Sequence, residues 1–70
     1  MVVMVEFRCP VAGRKFGEAL PEGVGEVTFA CRDCARIRRE AGEPGMVIHA
    51  FGVDGTYRRT VTIDARPRPQ

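Results

Sequence analysis

Three cysteines and one absence constrain this chain more than any other feature. Cys9 opens the turn Cys9-Pro10-Val11-Ala12-Gly13, and a second turn, Cys31-Arg32-Asp33-Cys34, carries a thiol at each end. Each turn has the form of a metal-binding knuckle, but Ala12 stands where a second thiol would complete the first pair. The chain therefore reads as a pair of knuckles that has lost or relocated one ligand.

A chain of 70 residues has room for one domain with a thin core, placed here at residues 1–64. Chains of this size commonly enlist a metal, disulfides or a second subunit. Three thiols cannot all pair with one another, and no charged segment followed by an apolar stretch opens the sequence. The expectation is a reducing, cytoplasmic setting, in which closely spaced thiols hold metal more often than they form disulfides. The longest apolar run, Met1 to Val5, is far too short to span a membrane.

The remaining pattern is short extended pieces punctuated by glycine, with one helix. Val2 to Arg8 alternates in the manner of a strand leading into Cys9. Arg14 to Leu20 reads as its return, with Phe16 and Leu20 inward, and Pro21-Glu22-Gly23 as the next turn. Val24 to Ala30 delivers the chain to Cys31 as the first strand delivers it to Cys9. From Asp33 to Ala41 the alternation stops and a short helix is expected, with Cys34, Ile37 and Ala41 on one stripe and Arg32, Arg36 and Arg39 opposite. Asp33 suits its start and Gly42 its stop. Met46 to Phe51 and Tyr57 to Ile63 form a hairpin around Val53-Asp54-Gly55-Thr56. Residues 65–70 read as a flexible tail. The fold class expected is a small α+β, zinc-ribbon-like domain of antiparallel strands with one short helix and a C-terminal hairpin.

Zinc takes deprotonated sulfur or imidazole at four tetrahedral corners, and pairs of ligands on separate turns meet this need while pinning distant strands together. Cys9, Cys31 and Cys34 supply three corners. His49, the single histidine, is the foremost candidate for the fourth; a water, a carboxylate such as Asp33 or Glu6, or a group from a second subunit would also complete the shell. His49 shares a strand face with Val47 and Phe51, so the competing reading is a histidine packed beside the core. The competing reading of the cysteines is that they are small buried hydrophobes.

Of the eleven basic residues only Lys15 is a lysine, which favours planar, bidentate contacts. Arg32, Arg36, Arg38 and Arg39, with Arg14 and Lys15, frame a candidate phosphate-binding surface. Interspersed Asp33, Glu40 and Glu43 equally suit a solvated helix face or a protein-binding patch.

Phe7-Arg8-Cys9-Pro10 through Arg14-Lys15-Phe16, then Glu26-Val27 through Cys31-Arg32-Asp33-Cys34-Ala35, resembles the Com-like small zinc-ribbon proteins of Mu-like bacteriophages over about the first 40 residues. That family binds zinc through four cysteines, and its founding member activates translation by binding messenger RNA and opening a hidden start region. The resemblance implies zinc on Cys9, Cys31 and Cys34, RNA as the favoured partner, and the cytoplasm of an infected host as the setting. Ala12 departs from the family pattern and puts four-thiolate coordination out of reach. The function expected is a nucleic-acid-binding regulator; the alternative is an interaction module that self-associates or binds a host protein. An enzyme is not expected, since the chain has no serine and His49 has no nucleophile beside it.

Overall fold

The computed structural model describes residues 3–64. The N-terminal residues Met1 and Val2 and the segment 65–70, read above as a tail, lie outside the described residues. The elements run β1 (Val5–Arg8), β2 (Lys15–Ala19), β3 (Glu26–Ala30), α1 (Arg32–Glu40), β4 (Gly45–Gly52) and β5 (Tyr57–Asp64). They form two antiparallel sheets, a β1–β2 hairpin and a three-stranded sheet in the order β3-β4-β5. The expected α+β class, the single helix and the C-terminal hairpin are all present.

Each sheet has a simple local origin. In the first, the knuckle between β1 and β2 closes through Cys9 N–H to Arg14 C=O at 2.8 Å and Gly13 N–H to Cys9 C=O at 3.0 Å. Gly13 takes φ 77°, a left-handed conformation that a side chain resists. In the second, the Asp54 carboxylate accepts from Thr56 N–H at 3.1 Å and fixes the turn between β4 and β5. The strands then pair with His49 opposite Thr60 and Ala50 opposite Arg59, the register slipping once between Ala50 and Phe51.

All four phenylalanines of the chain meet between the sheets. Phe7 of β1 and Phe16 of β2 approach Phe29 of β3 at centroid distances of 5.2 and 5.1 Å, and Phe51 of β4 meets the other three edge-on or nearly so at 5.8–6.1 Å. Such pairs add roughly 0.5–1.5 kcal/mol each beyond the area they bury. The cluster clamps the two-stranded hairpin onto the larger sheet and leaves Cys9, at the end of β1, facing β4.

Helix α1 starts on Cys31, whose sulfur accepts from Cys34 N–H at 3.5 Å in place of the usual capping oxygen. It ends in a Schellman arrangement: Glu43 N–H reaches Arg38 C=O at 2.8 Å and Gly42 N–H reaches Arg39 C=O at 3.1 Å, with Gly42 at φ 83°. Gly42 is thus the stop that the sequence suggested.

Two expected core positions turn outward. Ile37 is 49% exposed, because Cys34, drawn to the other sulfurs, sets the helix phase and turns Ala35 and Arg38 rather than Ile37 to the partly buried side. Leu20 is 42% exposed, because β2 ends at Ala19 before the chain reaches it.

Candidate metal centre

Four donors converge at the end of the inter-sheet core. The sulfurs of Cys9, Cys31 and Cys34 and a ring nitrogen of His49 all lie within 4.8 Å of one another, and all four residues are buried. Cys9 Sγ lies 3.5 Å from Cys34 Sγ and 3.5 Å from His49 Nε2, and Cys34 Sγ lies 3.4 Å from the same nitrogen. A tetrahedral ion with Zn–S near 2.3 Å and Zn–N near 2.0–2.1 Å places its corners about 3.6–3.8 Å apart. The three separations among Cys9, Cys34 and His49 fall a few tenths of an ångström inside that figure, and the Cys31 sulfur lies within 4.8 Å of the other donors. The donor set can hold a metal ion.

Each element delivers its ligand for a separate reason. Cys9 is the residue at which β1 gives way to the knuckle. Its sulfur accepts from Val11 N–H at 3.4 Å and from Ala12 N–H at 3.3 Å. Ala12 contributes no thiol, yet its backbone still performs the knuckle's other task of stabilising the sulfur that remains. Cys31 and Cys34 sit at the cap and in the first turn of α1, where unpaired N–H groups and the helix dipole favour negative charge. His49 lies on β4 between Val47 and Phe51 on the inward face, as the alternation required, and is 1% exposed. Of the alternatives for the fourth corner, the structure brings His49 into the cluster, whereas Asp33 bonds Arg14 and Glu6 bonds Arg8.

The second ring nitrogen of His49 decides its chemistry. Nδ1 lies 2.7 Å from Thr60 Oγ1, and Tyr57 Oη lies 2.6 Å from the same hydroxyl oxygen. When Nδ1–H donates to Thr60, Nε2 keeps its lone pair and points it at the sulfurs. This is the outer-shell arrangement that orients metal-bound histidines. Burial also pushes the His49 imidazolium below its ordinary pKa, favouring the neutral ligand form. No motif marks Thr60 in the sequence. The hairpin turn held the signal, since a pairing centred on Asp54-Gly55 sets residue 49 opposite residue 60.

The thiols differ among themselves. Burial raises the Cys9 thiol, but the N–H groups of Ala12 and Val11, with the neighbouring thiols of Cys34 and Cys31, outweigh it and bring it below its ordinary value. Cys34 is pushed up to about 12 by burial and by the sulfurs of Cys9 and Cys31. Without a cation, three thiolates in this space repel. A divalent ion reverses that balance and deprotonates its thiol ligands outright.

The candidate phosphate contacts divide into two groups. Arg14 bonds Asp33 at 3.4 Å, Lys15 pairs with Glu18 and with Glu6, and Arg38 is half-buried beside Glu43 at 3.7 Å with its Nε enclosed and unbonded. These three are engaged within the protein. Arg32, Arg36 and Arg39 are exposed on α1; Arg36 has a long 3.9 Å contact to Asp33, and Arg32 and Arg39 form no ion pair among the described residues.

No protein-family model, no curated protein and no solved structure matches this chain. No helix among the described residues is long and apolar enough to cross a membrane. The Com-like resemblance therefore rests on the residues quoted for it, and the donor cluster stands on its geometry.

Proposed function

We propose that the protein is a zinc-stapled nucleic-acid-binding regulator, with Cys9, Cys31, Cys34 and His49 holding one Zn²⁺ and the exposed arginines of α1 contacting phosphates. The observation that carries the reading is the coupling of two features on one helix. Cys31 and Cys34 anchor the start of α1 in the buried cluster, and Arg32, Arg36 and Arg39 project from the same helix into solvent. Four protein donors fill a tetrahedron and leave no open position for substrate or activated water, which favours a structural ion over a catalytic one. RNA is the favoured partner, because the Com-like resemblance implies it and because nine residues make a short helix for reading a major groove.

Native mass spectrometry and fluorescence titration test the two halves. One zinc per chain is expected, together with RNA affinity that falls steeply with salt. Zinc-free protein with an unchanged melting curve after chelation would remove the metal. No RNA or DNA binding at low salt would remove the partner.

A second reading draws on a different surface. Met46, Val61 and Ile63 are each nearly half exposed on one face of the β4–β5 hairpin, and β5 is an edge strand. An interaction module that self-associates or takes a host protein would use that face. Loss of dimerisation or partner capture on substituting Val61 and Ile63, in a protein indifferent to nucleic acid, would select it.

A further inference from the structure

Beside the donor cluster, between α1 and β4, lies a concavity of about 250 Å³ lined by Ala30, Cys31, Arg32, Ala35 and Arg39 together with Gly45, Met46 and Val47 of β4. Its floor is aliphatic. Its rim carries Arg32 and Arg39, the two α1 arginines with no ion pair among the described residues. Seven residues apart on one helix, they stand about 10 Å from each other along the axis. We propose that this groove receives one unstacked nucleotide of a single-stranded nucleic acid, its base against Ala35, Met46 and Val47 and the flanking phosphates on Arg32 and Arg39. The inference rests on the nucleic-acid reading above and adds the place and the number of nucleotides seated.

Three observations select this occupant. The two guanidinium groups demand an anion on both sides of an apolar insert, which is the charge pattern of a nucleotide within a strand. An extended peptide gains little here, because β4 is the central strand, bonded to β3 on one side and β5 on the other, and offers no free edge for main-chain pairing. A partner helix, about 10 Å across, exceeds the space.

The test uses the zinc-loaded protein, oligouridylate and an abasic strand of the same length. The native protein is expected to bind the base-bearing strand about tenfold more tightly than the abasic one. Ala35→Leu, which fills the floor, should erase that preference while keeping the salt dependence. The double variant Arg32→Gln/Arg39→Gln should lower the salt slope by about 1.4 on both strands. Met46→Glu on the opposite wall, where the side chain is already exposed, is expected to erase the preference as well and serves if Ala35→Leu loses zinc. A DNA strand of matching sequence identifies the sugar; a base preference with either strand supports the groove. Equal affinity for base-bearing and abasic strands, or a preference untouched by both groove variants, would overturn the groove and leave the nucleic-acid reading standing. Failure to bind any strand at low salt would overturn both.

Discussion

The two cysteine turns hold their sulfurs by different means. At the first, Cys9 is supported by two backbone N–H groups and lies below the ordinary thiol range; at the second, Cys34 sits among sulfurs and is pushed up to about 12. The first turn has a knuckle's backbone with one thiol, whereas the second carries two. The ring nitrogen of His49, from a strand forty residues beyond Cys9, stands beside the sulfurs at the missing corner. A knuckle's electrostatics and its ligand count are thus separable properties. Ala12 retains the former without the latter.

The largest effect expected follows from breaking the asymmetry at its distant partner. His49→Ala removes a buried donor and leaves three thiolates without a fourth, so zinc affinity should fall about as far as in Cys9→Ser, with a lowered melting temperature. Ala12→Cys alone should change little, because the corner it would serve is already met. In the His49→Ala background, however, Ala12→Cys should restore zinc and melting, with the ion moved to four sulfurs. Zinc content and calorimetry of the four proteins decide this. A double variant as metal-poor as His49→Ala would show that the first turn has lost its knuckle geometry.

A smaller effect isolates the orientation of His49 from its presence. Thr60→Val keeps the strand and removes the hydroxyl between Nδ1 and Tyr57, so zinc affinity should fall about 10–100-fold. Competition with a chromogenic chelator measures it. Unchanged affinity would mean that packing alone orients the ring, with Phe16 at a centroid distance of 6.1 Å and Tyr57 at 6.2 Å.

The smallest effect is in the metal-free protein. His49 has its pKa lowered on folding from an ordinary 6.5 by burial. Below that value the unfolded chain binds a proton that the folded chain refuses, so stability contributed by this group is intact above about pH 6.5 and is lost as pH falls toward the lowered folded value. Denaturant midpoints of the apoprotein between neutral and mildly acidic pH, compared with those of His49→Gln, isolate the term. Identical pH profiles would remove it.

How much of this was legible in the sequence follows from range. The inward face of His49 was readable, because alternation along Val47, His49 and Phe51 fixes it without reference to any other element. The role of Ala12 was half readable: side-chain chemistry exposed the missing thiol, and only coordinates showed that its N–H still serves Cys9. The helix stripe was misplaced at Ile37, because propensity and periodicity set a helix's existence while a contact to another element sets its phase. Leu20 was misplaced because no local signal marks where β2 stops. The convergence of Phe7, Phe16, Phe29 and Phe51 required knowing how two sheets stack, which no local pattern encodes. The basic residues split for a similar reason, since Asp33 beside Arg14 and Glu6 beside Lys15 come from other elements that only the fold brings near.

The placement of His49 also sets an order of events. Cys31 and Cys34 are close in the chain, but Cys9 lies 25 residues from Cys34, and His49 is 40 from Cys9. Closing loops of this length costs entropy, so an ion bound first at Cys31 and Cys34 would gain its remaining ligands only as folding brings them near. Full coordination of an ion would require β4 paired between β3 and β5 with its inward face toward the knuckle. A zinc ion bound as proposed would then act as a late clasp: it would slow escape from a fold already reached more than it speeds arrival, and the half-life of zinc exchange would become a clock for the opening of the central strand.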